Sequence, residues 1–144
     1  MRKINLLRSL PKAKRSIKNR FKKKNIKAIK ISRQYGQKYF DGDRKYGYGG
    51  YNYDGRWKSV ARDIVKIYKL KKNSKILDIG CAKGFLVKDL LDKKMNAFGI
   101  DISEYAIKNC HKDAIGRLSI GNAKKLPYPD KSFDFVISLN TLHN

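Results

Sequence analysis

The run Asp78-Ile-Gly80-Cys81-Ala82-Lys83-Gly84 places an acid just ahead of a turn built from glycines and small residues. Glycines between a strand and a helix let the backbone bend tightly and approach a ligand with no Cβ in the way. A helix starting behind them offers unpaired N–H groups to a polar or anionic ligand group. Asp101 follows roughly twenty residues later, where an acid is placed to accept hydrogen bonds from ribose hydroxyls. A carboxylate has lone pairs enough for both hydroxyls of an unphosphorylated ribose. Helix capping is the other role open to Asp101, although Ser103 is the better-placed cap. A third group, Gly121-Asn122-Ala123, precedes Leu126-Pro127-Tyr128-Pro129-Asp130 and Ser132-Phe133-Asp134. An Asn side chain both donates and accepts, which suits an adenine edge. Taken alone, those residues read as an ordinary turn.

The elements that must carry these residues alternate in type. Val60, Ala61, Ile64, Val65 and Tyr68 recur at helical spacing, with Ser59 as the expected N-cap. Residues 75–80, KILDIG, read as a buried strand ending at glycine. Phe85, Leu86, Leu90 and Leu91 mark a helix, and residues 97–101, AFGID, a second strand. Ser103 is expected to cap a third helix, with Glu104 suiting its positive end. Residues 117–120 form a weak third strand and residues 134–139, DFVISL, a strong fourth. Alternation of this kind predicts an α/β fold, a doubly wound parallel sheet with right-handed crossovers.

Taken in order, DIGCAKG, FGIDIS and GNAKKLPYPDKSFDFVISLNTLH resemble the class I S-adenosylmethionine-dependent methyltransferases, especially the type 11 branch. The resemblance spans residues 58–144, about 60 % of the chain. It implies a Rossmann-like methyltransferase fold and S-adenosylmethionine as cofactor. It places Asp78, Gly80, Cys81, Ala82 and Gly84 around the methionine moiety. It sets Asp101 on the ribose with Ile102 against the adenine, and Asn122 and Ala123 on the adenine. Asn140, and Leu139 beside it, would line the site of the transferred methyl. One departure stands at the centre of the first motif, where the family has glycine and this chain has Ala82. A methyl there is tolerated at negative φ and costly at positive φ. The family sheet has seven strands in the order 3-2-1-4-5-7-6, whereas this sequence ends just after the fourth. The expectation is therefore a partial domain, incomplete at the C-terminus and poorly soluble or methyl-inactive by itself, with DFVISL as an exposed edge.

Two further zones precede the domain. Residues 35–57 carry Tyr35, Tyr39, Phe40, Tyr46, Tyr48, Tyr51, Tyr53 and Trp57 among several glycines, and read as a hydrophobic cover or a lid. Residues 1–34 form a basic N-terminal arm, expected as loosely held helix or coil. Residues 1–40 contain 15 of the 35 Lys and Arg and no acid, within a net charge of +23. Such an arm either serves solubility or contacts RNA, DNA or an anionic surface.

Candidate bases for a hydroxyl or amine acceptor are His143, Tyr46, Tyr48 and Tyr51, none compelling, so the catalytic residues stay unassigned. His111 reads as structural. Cys81 and Cys110 form neither a disulfide framework nor a metal site, which points to a reducing cytoplasm. No stretch approaches the roughly 20 apolar residues of a membrane span. A dehydrogenase turn would read G-x-G-x-x-G, unlike the Gly80-x-x-x-Gly84 spacing here. The implied function is methyl transfer to a small-molecule or glycan-related acceptor. The alternatives are an RNA methyltransferase that uses the basic arm, or an inactive fragment that binds anionic polymers.

Overall fold

The computed structural model describes residues 4–10, 26–139 and 141. In chain order the elements are α1 (Ile26–Ser32), α2 (Gln37–Phe40), α3 (Trp57–Ile67), β1 (Lys75–Ile79), α4 (Phe85–Asp92), β2 (Asn96–Asp101) and α5 (Glu104–Lys108). A 3-10 turn (Lys112–Ala114), β3 (Leu118–Ile120) and β4 (Phe135–Ile137) complete them. The four strands form one parallel sheet in the order β3-β2-β1-β4. That is the α/β arrangement expected from the alternation of periods.

β1 occupies the centre because Ile76 and Leu77 are apolar on both faces and both are buried. Ile76 pairs with Ala97 on one side and Phe135 on the other. Val60, Ala61 and Ile64 of α3 meet Val87 and Leu90 of α4, and all five are fully buried in one cluster with Ile76 and Ala97. Each fully buried aliphatic side chain stabilises by about 1.5–3 kcal/mol relative to exposure, so this cluster is the main source of cohesion.

Three local expectations need correction. Ser59 does not cap α3; the helix starts at Trp57, and Ser59 Oγ instead lies 2.6 Å from Ser9 Oγ. The fourth strand is shorter than DFVISL, because Asp134 turns back to Lys75, its carboxylate accepting the Lys75 N–H at 2.7 Å. The first piece of the basic arm is anchored rather than loose. Leu6, Leu7 and Leu10 pack against the main cluster, and the Arg8 guanidinium donates to Asp63 Oδ2 at 3.0 Å. Ser103 caps α5 as expected, its Oγ accepting the Ala106 N–H at 3.0 Å.

A second cluster joins the sheet to residues 35–57. Phe40, Ala82 and Ala106 are buried together, with Tyr35, Tyr39, Tyr51 and Tyr105 packed around them. The rings interlock: Tyr48 lies 4.4 Å from Tyr51, and Tyr51 stacks on Phe85 at 4.8 Å. Edge-to-face and offset pairs of this kind each add about 0.5–1.5 kcal/mol beyond burial. Residues 35–51 thus form a strap of rings lying over one end of the sheet.

Candidate functional site

β1 and β2 end side by side, and each delivers an acid at its C-terminal end. Asp78 pairs with Gly99 in the register, and Asp101 closes β2 next to Ile120 of β3. Ligands of open parallel sheets bind outside these strand ends. A cavity of about 410 Å3 lies there, with Gly80, Ala82, Asp101, Ile102, Asn122 and Ala123 among the residues that line it. Tyr35, Tyr39, Phe40 and Tyr48 of the strap close one side, and Leu139 and Thr141 lie beyond β4. A smaller adjoining space of about 50 Å3 is lined by Asp78, Cys81, Tyr51 and Trp57, and shares Gly80, Ala82, Tyr48 and Leu139 with the first.

The turn after β1 is shaped by three left-handed residues, Gly80 (φ 80°), Ala82 (φ 50°) and Gly84 (φ 73°). A Cβ on Gly80 would collide with the Thr141 side chain, so only glycine keeps that wall open. Gly84 lines neither space. Its missing side chain instead makes room for Leu118 Cδ1, 2.7 Å from where a Cβ would stand, so this glycine serves helix-to-sheet packing. Ala82 has the positive φ at which its methyl is costly. Part of that cost is offset because the methyl is buried with Phe40 of the strap.

Asp101 is held from two directions. The Ala82 N–H donates to Oδ2 at 2.7 Å and the Ser103 N–H to Oδ1 at 2.8 Å. The carboxylate therefore braces the start of α5 and also lines the cavity. Each oxygen keeps acceptor capacity for another donor. Asn122 is likewise both turn and lining, since its Oδ1 accepts the Lys124 N–H at 2.9 Å. Ile102 is 57 % exposed at the cavity edge. Asp78 is buried, and no hydrogen bond reaches its carboxyl among the described residues. Burial, and then the nearby Asp101 charge, push it up to about 7. Cys81 is a buried small residue whose thiol burial pushes far up, so it stays protonated.

The proposed bases fare unevenly. Tyr48 and Tyr51 line the cavities, but burial raises both above the usual phenol range. Tyr39, which sequence reasoning had not singled out, is pushed up to about 12 by burial and then by Tyr48. These rings stay neutral at physiological pH. Tyr46 lines neither space, and its carbonyl accepts from Ser32 Oγ. Asn140 and His143 lie outside the described residues. His111 sits at the head of the 3-10 turn, its Nδ1 accepting the Asp113 N–H at 3.2 Å. Tyr35, Tyr39, Phe40 and Thr141 are lining residues that the motifs did not reveal. The density of rings in residues 35–57 was the one signal pointing to the first three.

Residues 77–144 match the family model described as a methyltransferase domain. Together with the relatives below, this match supports a class I S-adenosylmethionine-dependent methyltransferase. An uncharacterized methyltransferase of Schizosaccharomyces pombe is 33 % identical over 87 residues, covering 58 % of this chain and 34 % of that protein. The mitochondrial arginine-hydroxylase NDUFAF5 of Rattus norvegicus is 32 % identical over 86 residues, covering 58 % of this chain and 25 % of its own. The chain thus spans about a third or less of the length of these curated relatives. A solved structure from Methanococcus maripaludis, assigned to the S-adenosyl-L-methionine-dependent methyltransferases, superposes with a TM-score of 0.54. At 19 % identity over 60 % of this chain and 43 % of that one, it shares the fold of the methyltransferase domain described here. Among the described residues, no helix is long and apolar enough to cross a membrane.

Proposed function

We propose that the domain binds S-adenosylmethionine in the cavity at the strand ends and transfers its methyl group to a small-molecule acceptor. The observation that carries this is the meeting of the Gly80–Ala82 turn, Asp101 and Asn122-Ala123 around one space of about 410 Å3. Cavities of roughly 300–1,000 Å3 enclose ligands of this general size.

The residues present fit the group. Asp101 would hold the ribose hydroxyls with its remaining lone pairs. Ile102 and Ala123 would flank the adenine, and the Asn122 side-chain NH2 would face its edge. Gly80 leaves the wall open where a side chain would close it. Asp78, a buried carboxyl without a partner among the described residues, suits the ammonium of the methionine part. When bound, the cofactor supplies a methyl activated by a sulfonium. The strap excludes water from that side of the cavity, and a dry site strengthens every charge interaction within it.

Tyr39 and Tyr48 remain protonated, so they serve as rings and hydroxyl donors rather than bases. The small-molecule class is supported by the lining. Among the described residues Lys124 is the one cation there, whereas a polyanion channel needs a row of them. The hydroxylase name of one relative belongs to that protein, and product analysis separates the two chemistries.

Calorimetric titration of the full chain with S-adenosylmethionine tests the proposal. Saturable binding that weakens at least about tenfold in Asp101→Asn, with the circular dichroism spectrum retained, is the expected result. A wild-type chain without heat of binding, or an Asp101→Asn variant with unchanged affinity, overturns the ribose assignment.

A further inference from the structure

The strap over the cavity is tied to the body at Tyr35, whose carbonyl accepts from Ser103 Oγ at 2.5 Å, and to the cofactor turn by the Asp41 carboxylate. Asp41 follows Tyr39 and Phe40, two of the rings that line the cavity. Lys83 Nζ donates to both of its oxygens, at 2.8 Å to Oδ1 and 2.7 Å to Oδ2. The Tyr105 hydroxyl, from α5, donates to Oδ2 at 2.7 Å. The Tyr51 N–H, further along the strap, donates to Oδ1 at 3.1 Å.

Asp41 also sits where the strap folds back on itself. The Tyr48 N–H donates to the Tyr39 carbonyl at 2.8 Å, and the Gly50 N–H to the Phe40 carbonyl at 3.0 Å. The Tyr51 bond to Asp41 continues the same ladder by one rung. One side chain therefore closes the loop that presents Tyr48 and ties that loop to the body.

Lys83 is the other half of the fastening. It lies between Ala82 and Gly84, inside the turn assigned to the cofactor. Its side chain is 8 % exposed, and among the described residues Asp41 is its only ion-pair partner. A buried ammonium without a counter-charge is unstable. Lifting the strap would strip Lys83 of its partner, so burial of Lys83 favours the closed strap. The Ala82 methyl packed with Phe40 adds an apolar contact beside the ion pair.

We propose that Asp41 is a positioning residue that, through Lys83, clamps the aromatic strap onto the cofactor turn and so sets how long the cofactor stays bound. This rests on the cofactor assignment above. The clamp acts on dissociation because the strap forms one side of the cavity: a ligand leaves when that side opens. The Asp41 carboxyl touches neither cavity wall and takes no part in the chemistry.

The test is stopped-flow release of S-adenosylmethionine from the full chain, with calorimetric affinity measured in parallel. Asp41→Asn keeps the shape of the side chain and removes its charge. It is expected to raise the dissociation rate about tenfold while the association rate changes less than about threefold. Trypsin cleavage after Arg44 and Lys45, within the exposed part of the strap, is expected to accelerate and to lose its protection by cofactor. The reversed pair, Asp41→Lys with Lys83→Asp, is expected to recover part of the slow release; a structural lesion alone would not be mended by a second substitution. If Asp41→Asn proves unfolded, the reversed pair and Lys83→Arg carry the same comparison. Wild-type binding with unchanged release in Asp41→Asn overturns this proposal and leaves the cofactor assignment standing. No binding by the wild-type chain overturns both.

Discussion

Ala82 sets three small effects against one another. Its left-handed φ of 50° costs about 1–2 kcal/mol for a residue with a Cβ. Its buried methyl returns about 0.8 kcal/mol of transfer free energy. Glycine in its place would add roughly 0.4–1 kcal/mol of unfolded-chain entropy. These effects nearly cancel, so Ala82→Gly is expected to leave the thermal midpoint within a few degrees of the parent in a calorimetric scan. Asp78 is the opposite case, where one effect dominates. Burial lifts its carboxyl from the ordinary 3.8 to about 7, so the folded chain holds a proton that the unfolded chain has lost between those values. Stability contributed by this group is present at low pH and falls as pH rises through that window. Asp78→Asn should flatten this part of the stability-versus-pH profile. A cationic ligand beside Asp78 favours the ionised carboxyl, so cofactor affinity is expected to tighten about tenfold from pH 6 to pH 8. A flat titration series across that range would count against the ammonium assignment.

Among elements, the turn between β1 and α4 has the least tolerance. Gly80→Ala would bring left-handed strain and a collision with Thr141 together, a loss of about 2–5 kcal/mol. Urea denaturation should show it as a lower midpoint with an unchanged slope. The same turn was the most legible feature of the sequence, because KILDIG ends a buried apolar run at a glycine, whereas the other strand that stops at a glycine, LSIG, is shorter and less apolar. Ser103 was readable as a cap for a similar reason: its bond to Ala106 is local. Ser59 misled because a Ser near an apolar period also fits the first turn, and its actual partner, Ser9, is 50 residues away. The fourth strand was overestimated because composition cannot show where pairing with β1 stops. The strap announced itself through its rings, yet the Asp41–Lys83 bond that fixes it joins residues 42 apart and has no sequence signature. The role of Gly84 was misplaced too, since the side chain it yields to, Leu118, arrives from β3.

At the level of the whole molecule, charge is unevenly divided along the chain. All twelve acids lie in residues 41–144, whereas residues 1–40 hold none. Arg8 on Asp63 and the three leucines beside it show that part of this basic stretch is built into the body. The remaining positive charge is expected to hold polyanions at low ionic strength. Binding of single-stranded RNA, followed by fluorescence anisotropy, should fall linearly on a log–log plot against salt. If cofactor affinity is unchanged by that RNA, the arm and the cavity act independently; reciprocal weakening would show them linked. Alternation of strand and helix made a parallel sheet legible. The order β3-β2-β1-β4 agrees with what the family resemblance implies and could not be read from alternation, least of all where β4 follows β3 with no helix between them.

That order also dictates a schedule of assembly. β1 lies in the middle, yet its second neighbour, β4, follows it by some 59 residues. At a synthesis rate of about 5–20 residues per second, β1 waits roughly 3–12 s on the ribosome with one edge bare. Ribosome-held chains halted before and after Phe135 should differ in protease resistance around Leu77. During that wait the cationic N-terminus has already emerged, and mutual repulsion between neighbouring nascent chains works against their pairing along the unfinished strand.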